Sequence, residues 1–335
     1  MISSNYNIYR IFFGFTIFLS LHISHAQSFK FGDVGKEELI ETYNDKFPDA
    51  HATILYRKQF VYFENTLNNK TIQKTEIFER IKIYNRKGFD QATKFISFYN
   101  DEKISDLQAF TYNLVDNEIS RSSFEKDSIV ETVDSSRINT SKYILPGLNE
   151  GCVIEFKYIL ETDCCFASNI PLQMNIPIKK LDVRLRIPDS LNFATIFNPN
   201  SSIAPKIERS KRIREERTPS VGPRQNGVSE NMIIITYEDI PGIKDEPFAN
   251  IESYKAKLSL VPEQLEMDEE IVSSASWNEI ASSINNTPGY KNSSELNDLF
   301  EDDLKTVLNG TENDVEKATI LYNYIKLKMG WNGLE

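Results

Sequence analysis

Between Ala52 and Leu260 the apolar residues come in short runs separated by turn-forming clusters. The runs TILYRKQFVYF, TEIFERIKIYN, ATKFISFY, LQAFTYNLV, GCVIEFKYIL, LDVRLRIP, FATIFN and MIIITYEDI are rich in Ile, Val, Phe, Tyr and Thr, and Gly, Asn, Asp and Pro bound them. That composition suits pleated, half-buried strands. LDVRLRI alternates strictly, with Leu181, Val183, Leu185 and Ile187 on one face and Asp182, Arg184 and Arg186 on the other. Such a strand has one wet face, as in antiparallel sheets. Asp116-Asn117 lies between two runs, where a hairpin turn needs residues that tolerate left-handed backbone. About eight strands without intervening helices predict a mainly β fold, an antiparallel β-sandwich-like domain.

The pattern differs at both ends of this region. GKEELIETYNDKFPDA places Leu39, Ile40 and Tyr43 at helical spacing ahead of Pro48, predicting a short helix near 36–45. From residue 270 the period becomes helical. SWNEIASSI is a short helix, and SSELNDLFEDDLKTVLNG carries Leu296, Leu299, Phe300, Leu304 and Val307 on one face before an Asn309-Gly310 stop. Thr311 with Asp314 then resembles a capping box. It opens a helix whose apolar stripe is Val315, Ala318, Tyr322, Ile325 and Met329, a face that must cover a core. The expected organisation is a signal peptide over 1–26, a β domain over 27–265, and a helical linker with the first helices of a second unit over 266–335. Within the β domain, 206–231 concentrates basic residues, then Pro and Gly, with Glu208, Glu215 and Glu216 interleaved. It reads as a solvated surface hairpin or mobile loop rather than an anion-binding loop.

Charge and targeting narrow the function classes. The chain has 38 basic and 49 acidic residues, a formal net of −11, which repels phosphate backbones and argues against a nucleic-acid partner. Arg10 closes a short basic region, IFFGFTIFLSLHIS forms an apolar core, and Ser24-His25-Ala26 supplies small residues for cleavage after Ala26. The run falls short of the roughly 20 apolar residues of a membrane span, so no stable membrane insertion is expected after cleavage; an uncleaved anchor is the alternative. The expected location is the periplasm or cell surface. There Cys152, Cys164 and Cys165 can oxidise. Three cysteines cannot all pair, so Cys152 with Cys164 or Cys165, or unpaired buried thiols, remain open.

Candidate chemistry is sparse. Beyond Ala26 the chain holds one histidine, His51, so any Ser/His or Cys/His mechanism would depend on it. It lies at a predicted strand start, far in sequence from each cysteine. HExxH, CxxC, phosphate-binding and dinucleotide-binding motifs are all absent from the sequence. Glu301, Asp302 and Asp303 read as a solvated helix face. Glu155, flanked by Ile154 and Phe156, alternates onto the polar face of its strand. No catalytic, cofactor-binding or metal-binding residue is assigned.

Three segments carry a resemblance. YILPGLNEGCVIEFKYIL (143–160), NIPLQMNIPIKKLDVRLRIPDSLNF (169–193) and ITYEDIPGIKDEPFANIESYKAKLSL (235–260) resemble the β-rich domain of unknown function that precedes transglutaminase-like domains in exported proteins of Bacteroidota. DVEKATILYNYIKLKMGWNG (314–333) is similar to the opening helix of the papain-related, transglutaminase-like α+β core in those proteins. The resemblance implies an accessory β domain beside a Cys–His–Asp core that acts on protein or peptide amides. The nucleophile's counterpart would lie past the present C-terminus, so Cys152, Cys164 and Cys165 do not correspond to it and the chain should be non-catalytic as it stands. The alternative is a stand-alone binding module for peptide or glycan, with Tyr56, Tyr62, Phe98, Tyr99 and Tyr112 lining a groove.

Overall fold

The computed structural model describes residues 29–66, 70–99, 102–124, 129–133, 138–163, 168–214, 228–244, 246–267, 270–273, 276–286 and 301–328. The strands run β1 (Ala52–Asn65), β2 (Thr71–Ile83), β3 (Thr93–Tyr99), β4 (Lys103–Val115), β5 (Glu118–Ser123), β6 (Ile129–Val133), β7 (Ile138–Ile144) and β8 (Val153–Asp163). They continue as β9 (Ser168–Pro171), β10 (Ile178–Pro188), β11 (Phe193–Phe197), β12 (Lys206–Arg214), β13 (Val228–Ile240), β14 (Lys257–Pro262), β15 (Gln264–Met267) and β16 (Glu270–Ser273). Among the described residues the α-helices are α1 (Lys36–Ile40), α2 (Trp277–Asn286) and α3 (Asp314–Lys328), 301–307 are also helical, and Arg86–Ala92 and Ile251–Ser253 form 3-10 turns. The chain is therefore mainly β with short helices toward its C-terminus.

One eight-stranded sheet, in the order β12-β13-β10-β1-β2-β8-β4-β5, forms the body. Its neighbours are antiparallel except β1 and β10, which run parallel. A parallel pair needs a long crossover, and here β2 to β9 intervene. Two three-stranded sheets, β3-β7-β6 and β11-β14-β9, cover one face. Ile96, Tyr143, Ile170, Leu258 and Leu260 from the small sheets share one buried cluster with Val61, Ile77, Phe156, Leu181, Val183 and Leu185 of the large one. The alternation of β10 thus delivers its apolar face to a two-layer core, each such side chain contributing about 1.5–3 kcal/mol by burial. Asp116 and Asn117, at φ 48° and 62°, make the β4–β5 hairpin turn expected from the sequence.

The segment 206–231 enters an exposed hairpin, in keeping with the first of its two expected readings: β12 pairs along its length with β13, and 215–227 lie outside the described residues. Its charges suit an exposed sheet edge, where lysines discourage pairing with other chains, and an edge strand can be held by its ladder with little side-chain burial. Three other expectations need correction. The early helix stops at Ile40, because Glu41 turns extended and Asn44 Oδ1 accepts from the Lys46 and Phe47 amides to make a turn. The helical region begins later than 266, since the β15–β16 hairpin precedes α2. Asn313, rather than Thr311, caps α3, its Oδ1 accepting from the Val315 and Glu316 amides at 2.9 and 3.2 Å.

The stripe expected to cover a core is solvent-facing. Val315, Tyr322 and Ile325 are exposed, and α3 instead turns Tyr324 and Lys328 to Asp303. Met329 lies outside the described residues.

Candidate functional site

Buried charge occurs on both faces of the large sheet, and the two groups differ in how well they are paired. On the outer face, residues 29–50 lie across the strands. Phe29 stacks on Tyr56 at 4.7 Å, and Phe31 meets Phe78 and Phe110. Arg80 reaches up from β2 beneath this strap. Its Nε donates to Glu155 Oε1 at 2.8 Å, Nη1 to both Glu38 oxygens at 3.0 and 2.9 Å, and Nη2 to the Lys30 and Asp33 carbonyls at 2.7 and 2.9 Å. Glu155 Oε2 accepts from the Gly32 amide and the Tyr112 hydroxyl. Lys82 donates to the carbonyls of Leu39 and Gly151 at 2.7 and 2.6 Å. Every arm of the guanidinium has a partner, so this cluster fastens the N-terminal segment to the sheet. Glu155 does point to the strand's outer face, but that face is buried because the strap covers it.

The inner face carries the candidate site. A bulge at Leu55 shifts the register of β1. Ala52 and Ile54 face the core before it, and Arg57, Gln59, Val61 and Phe63 share the inward phase after it. Opposite them β2 presents Gln73, Thr75, Ile77 and Glu79, and β8 presents Tyr158, Leu160 and Thr162. Arg57, Gln59, Val61, Gln73, Thr75, Ile77, Tyr158, Leu160 and Thr162 from these strands, with Lys94 of β3 and Ser168, Asn169 and Ile170 of β9, line a cavity of ≈790 Å³ between the large sheet and the two small ones. That volume is typical of a site for a small ligand.

The charges at one end are concentrated on Glu79, which is 1% exposed. It pairs with Arg57, itself 3% exposed, and with Lys94. Arg57 also donates from Nη2 to Gln59 Oε1 at 3.2 Å. Arg57 Nε and Ser168 Oγ are buried without a hydrogen-bond partner among the described residues, in contrast to the outer cluster. Burial and the adjacent Arg57 guanidinium push the Lys94 ammonium down to about 7. Burial also pushes the Tyr158 phenol above its ordinary value. The arrangement can bind and orient a polar ligand; Cys, His and metal-ligand clusters are absent from this lining.

The residues singled out from sequence are dispersed. His51 is half-buried at the start of β1, its Nδ1 within 3.2 Å of Asn85 Nδ2. Cys152 is an unpaired thiol in the core, and burial raises its pKa, the opposite of an activated nucleophile. Cys164 and Cys165 lie outside the described residues. Glu301 pairs with Lys305, and Asp303 accepts from Tyr324, both at the surface. Tyr56, Tyr62 and Tyr112 are buried and Phe98 is half-buried, so they form no exposed groove; the side chain of Tyr99 lies outside the described set. Among the described residues no group of three or more His, Cys, Asp or Glu could hold a metal, and no helix is long and apolar enough to cross a membrane.

The inner cluster was not picked out from sequence, although a signal was present. Arg57 and Gln59 share parity with Val61 and Phe63, and Glu79 shares parity with Ile77 and Ile81. Polar residues in the inward phase of a strand mark a buried polar site.

No protein-family model matches the sequence, and no curated protein matches it. Among solved structures, a "putative protease" from Parabacteroides distasonis overlays with a TM-score of 0.57 at 14% identity, covering 84% of this chain and 51% of that one. A "putative nutrient binding protein" from Legionella pneumophila reaches a TM-score of 0.24 at 11% identity, over 83% of this chain and 95% of that one, too low to carry an argument. The chain thus shares a fold with, and spans about half the length of, the protease-like structure.

Proposed function

We propose that this chain is the exported, sheet-built accessory module of a protease-like protein whose chemistry resides in a separate, transglutaminase-like unit. One observation carries the reading: the fold likeness extends over 84% of this chain but only 51% of the protease-like structure. The other half of such a protein has room for the reacting groups. In support, Cys152 is a buried thiol of raised pKa, and His51 contacts an asparagine. Acyl transfer needs a nucleophile and base within hydrogen-bond reach. The sequence features at 1–26 support export.

The native polypeptide, isolated with an antibody to residues 52–262 and sequenced by mass spectrometry, tests the proposal. A product that begins near Gln27 and continues past Glu335 into a segment carrying Cys and then His is expected. A native product with no such segment overturns the protease-like assignment. A second reading, a stand-alone peptide- or glycan-binding module, draws on a different observation, the polar cavity between the sheets.

A further inference from the structure

We propose that the cavity between the large sheet and β3 and β9 is a binding site for a short extended peptide with a free C-terminal carboxylate, held at the Arg57–Glu79–Lys94 end. The site stands whether or not a catalytic unit is attached.

The charge balance selects the terminal group. Two cations share one carboxylate, leaving one positive charge at this end when Lys94 is protonated. Arg57 is almost wholly buried, yet its Nε donor has no partner among the described residues. A buried unsatisfied donor costs about 1–3 kcal/mol, and an acceptor from a bound carboxylate supplies both the missing hydrogen bond and the balancing charge. Arginine suits this role because its fork matches carboxylate geometry. Further along, the charges reverse sign. Glu102 accepts from Thr162, and Asp163 pairs with Lys70. A ligand with several negative groups along its length would be repelled there, so one terminal carboxylate fits better than a polyanion.

The shape and the remaining lining select the body of the ligand. The register runs the cavity along the strands: Arg57 faces Glu79, Gln59 faces Ile77, Val61 faces Thr75 and Phe63 faces Gln73. From Ile77 to Gln73 the strand rises about 13 Å, the length of roughly four extended residues. Amides and hydroxyls recur along this path at Gln59, Thr75, Gln73 and Asn169, and the Ser168 hydroxyl is buried without a partner among the described residues. Val61, Ile77, Leu160 and Ile170 lie among them. A repeating chain of peptide groups with small apolar side chains complements that alternation. A plain hydrocarbon chain would bury those polar groups unpaired, and a glycan would find few aromatic faces to stack on.

Isothermal titration of the purified chain with the acetylated tetrapeptide Ala-Val-Ala-Val tests the site, using the free acid, its C-terminal amide and decanoate as three arms. The expected result is saturable binding of the acid, at least tenfold weaker binding of the amide and no saturable binding of decanoate. Arg57→Met should weaken the acid at least tenfold. Because that change leaves Glu79 buried without its partner, Arg57→Met/Glu79→Gln is measured beside it, and Ser168→Ala, which removes only a hydroxyl, should weaken binding severalfold. Equal binding of acid and amide, preference for decanoate, no binding of the acid, or binding indifferent to all three variants would each overturn the proposal.

Discussion

Replacing Arg80 with methionine removes the cation that fastens the N-terminal strap and keeps most of its volume. Two carboxylates then lose their counter-charge, Glu155 at 0% and Glu38 at 5% exposure. Each keeps some support: Glu155 still accepts from Gly32 and Tyr112, and Glu38 still accepts from the Gly35 amide. Breaking one buried pair by removing one partner costs about 3–5 kcal/mol, and the retained donors hold the loss near that range despite two stranded groups. Against a typical stability of about 5–15 kcal/mol, that is a large fraction. Urea denaturation followed by tryptophan and tyrosine fluorescence measures it, and a drop in melting temperature of about 6–20 °C should accompany it. Limited proteolysis should cut within 29–50 sooner, because the Lys30 and Asp33 carbonyls lose their donor. Adding Glu38→Gln and Glu155→Gln should restore at least half of the loss, since neutral amides carry no charge to desolvate. A loss below about 1 kcal/mol, or no recovery in the triple variant, would refute the burial and pairing argument.

Burial lowers the Lys82 ammonium from 10.5 to about 8. Between those values the unfolded chain holds a proton that the folded chain has released, so stability should rise with pH across that window, and Lys82→Met should flatten the rise in urea midpoints. Above pH 10 the trend should reverse, because burial raises Tyr56 to about 12 and also raises Tyr84 and Tyr112, so the folded phenols keep protons that the unfolded ones shed; a steady climb beyond pH 11 would contradict this. Deleting residues 311–335 removes the exposed Val315, Tyr322, Ile325 and Leu327 and should leave the β domain folded and less prone to associate, as read by circular dichroism and light scattering; loss of the β signal would show that α3 supports the sheets. Cys152 in the folded chain should react with a thiol reagent at least about a hundredfold more slowly than in urea, measured by peptide mapping, and rapid labelling would show an accessible thiolate.

The strands were legible where apolar residues dominate one face. β1, β2, β8, β10 and β13 follow directly from their runs, and the hairpin follows from Asp116-Asn117. β12 could be read only as hairpin or loop, because an edge strand is held by backbone pairing, which leaves Lys206 and Ile213 to face solvent. β7 and β14, with Ser and Thr or Lys between their apolar positions, offered too little contrast. The outer cluster was illegible for a different reason. Nothing local to Glu155 says that residues 29–50 cross its face, so the strand appeared half-wet. The cavity needed two long-range facts: a bulge that brings Arg57 inward, and the position of β3 that brings Lys94 to Glu79, fifteen residues away in sequence. Parity along β1 and β2 could have raised the question, but only the packing of sheets answers it.

The accessory-module reading is tested most directly by amide chemistry on the purified chain. Hydrolysis of labelled casein and glutamine–amine transfer are followed for the unaltered protein, Cys152→Ser and His51→Ala. Background rates, identical for all three, are predicted. Turnover above background that disappears in both variants would contradict the account.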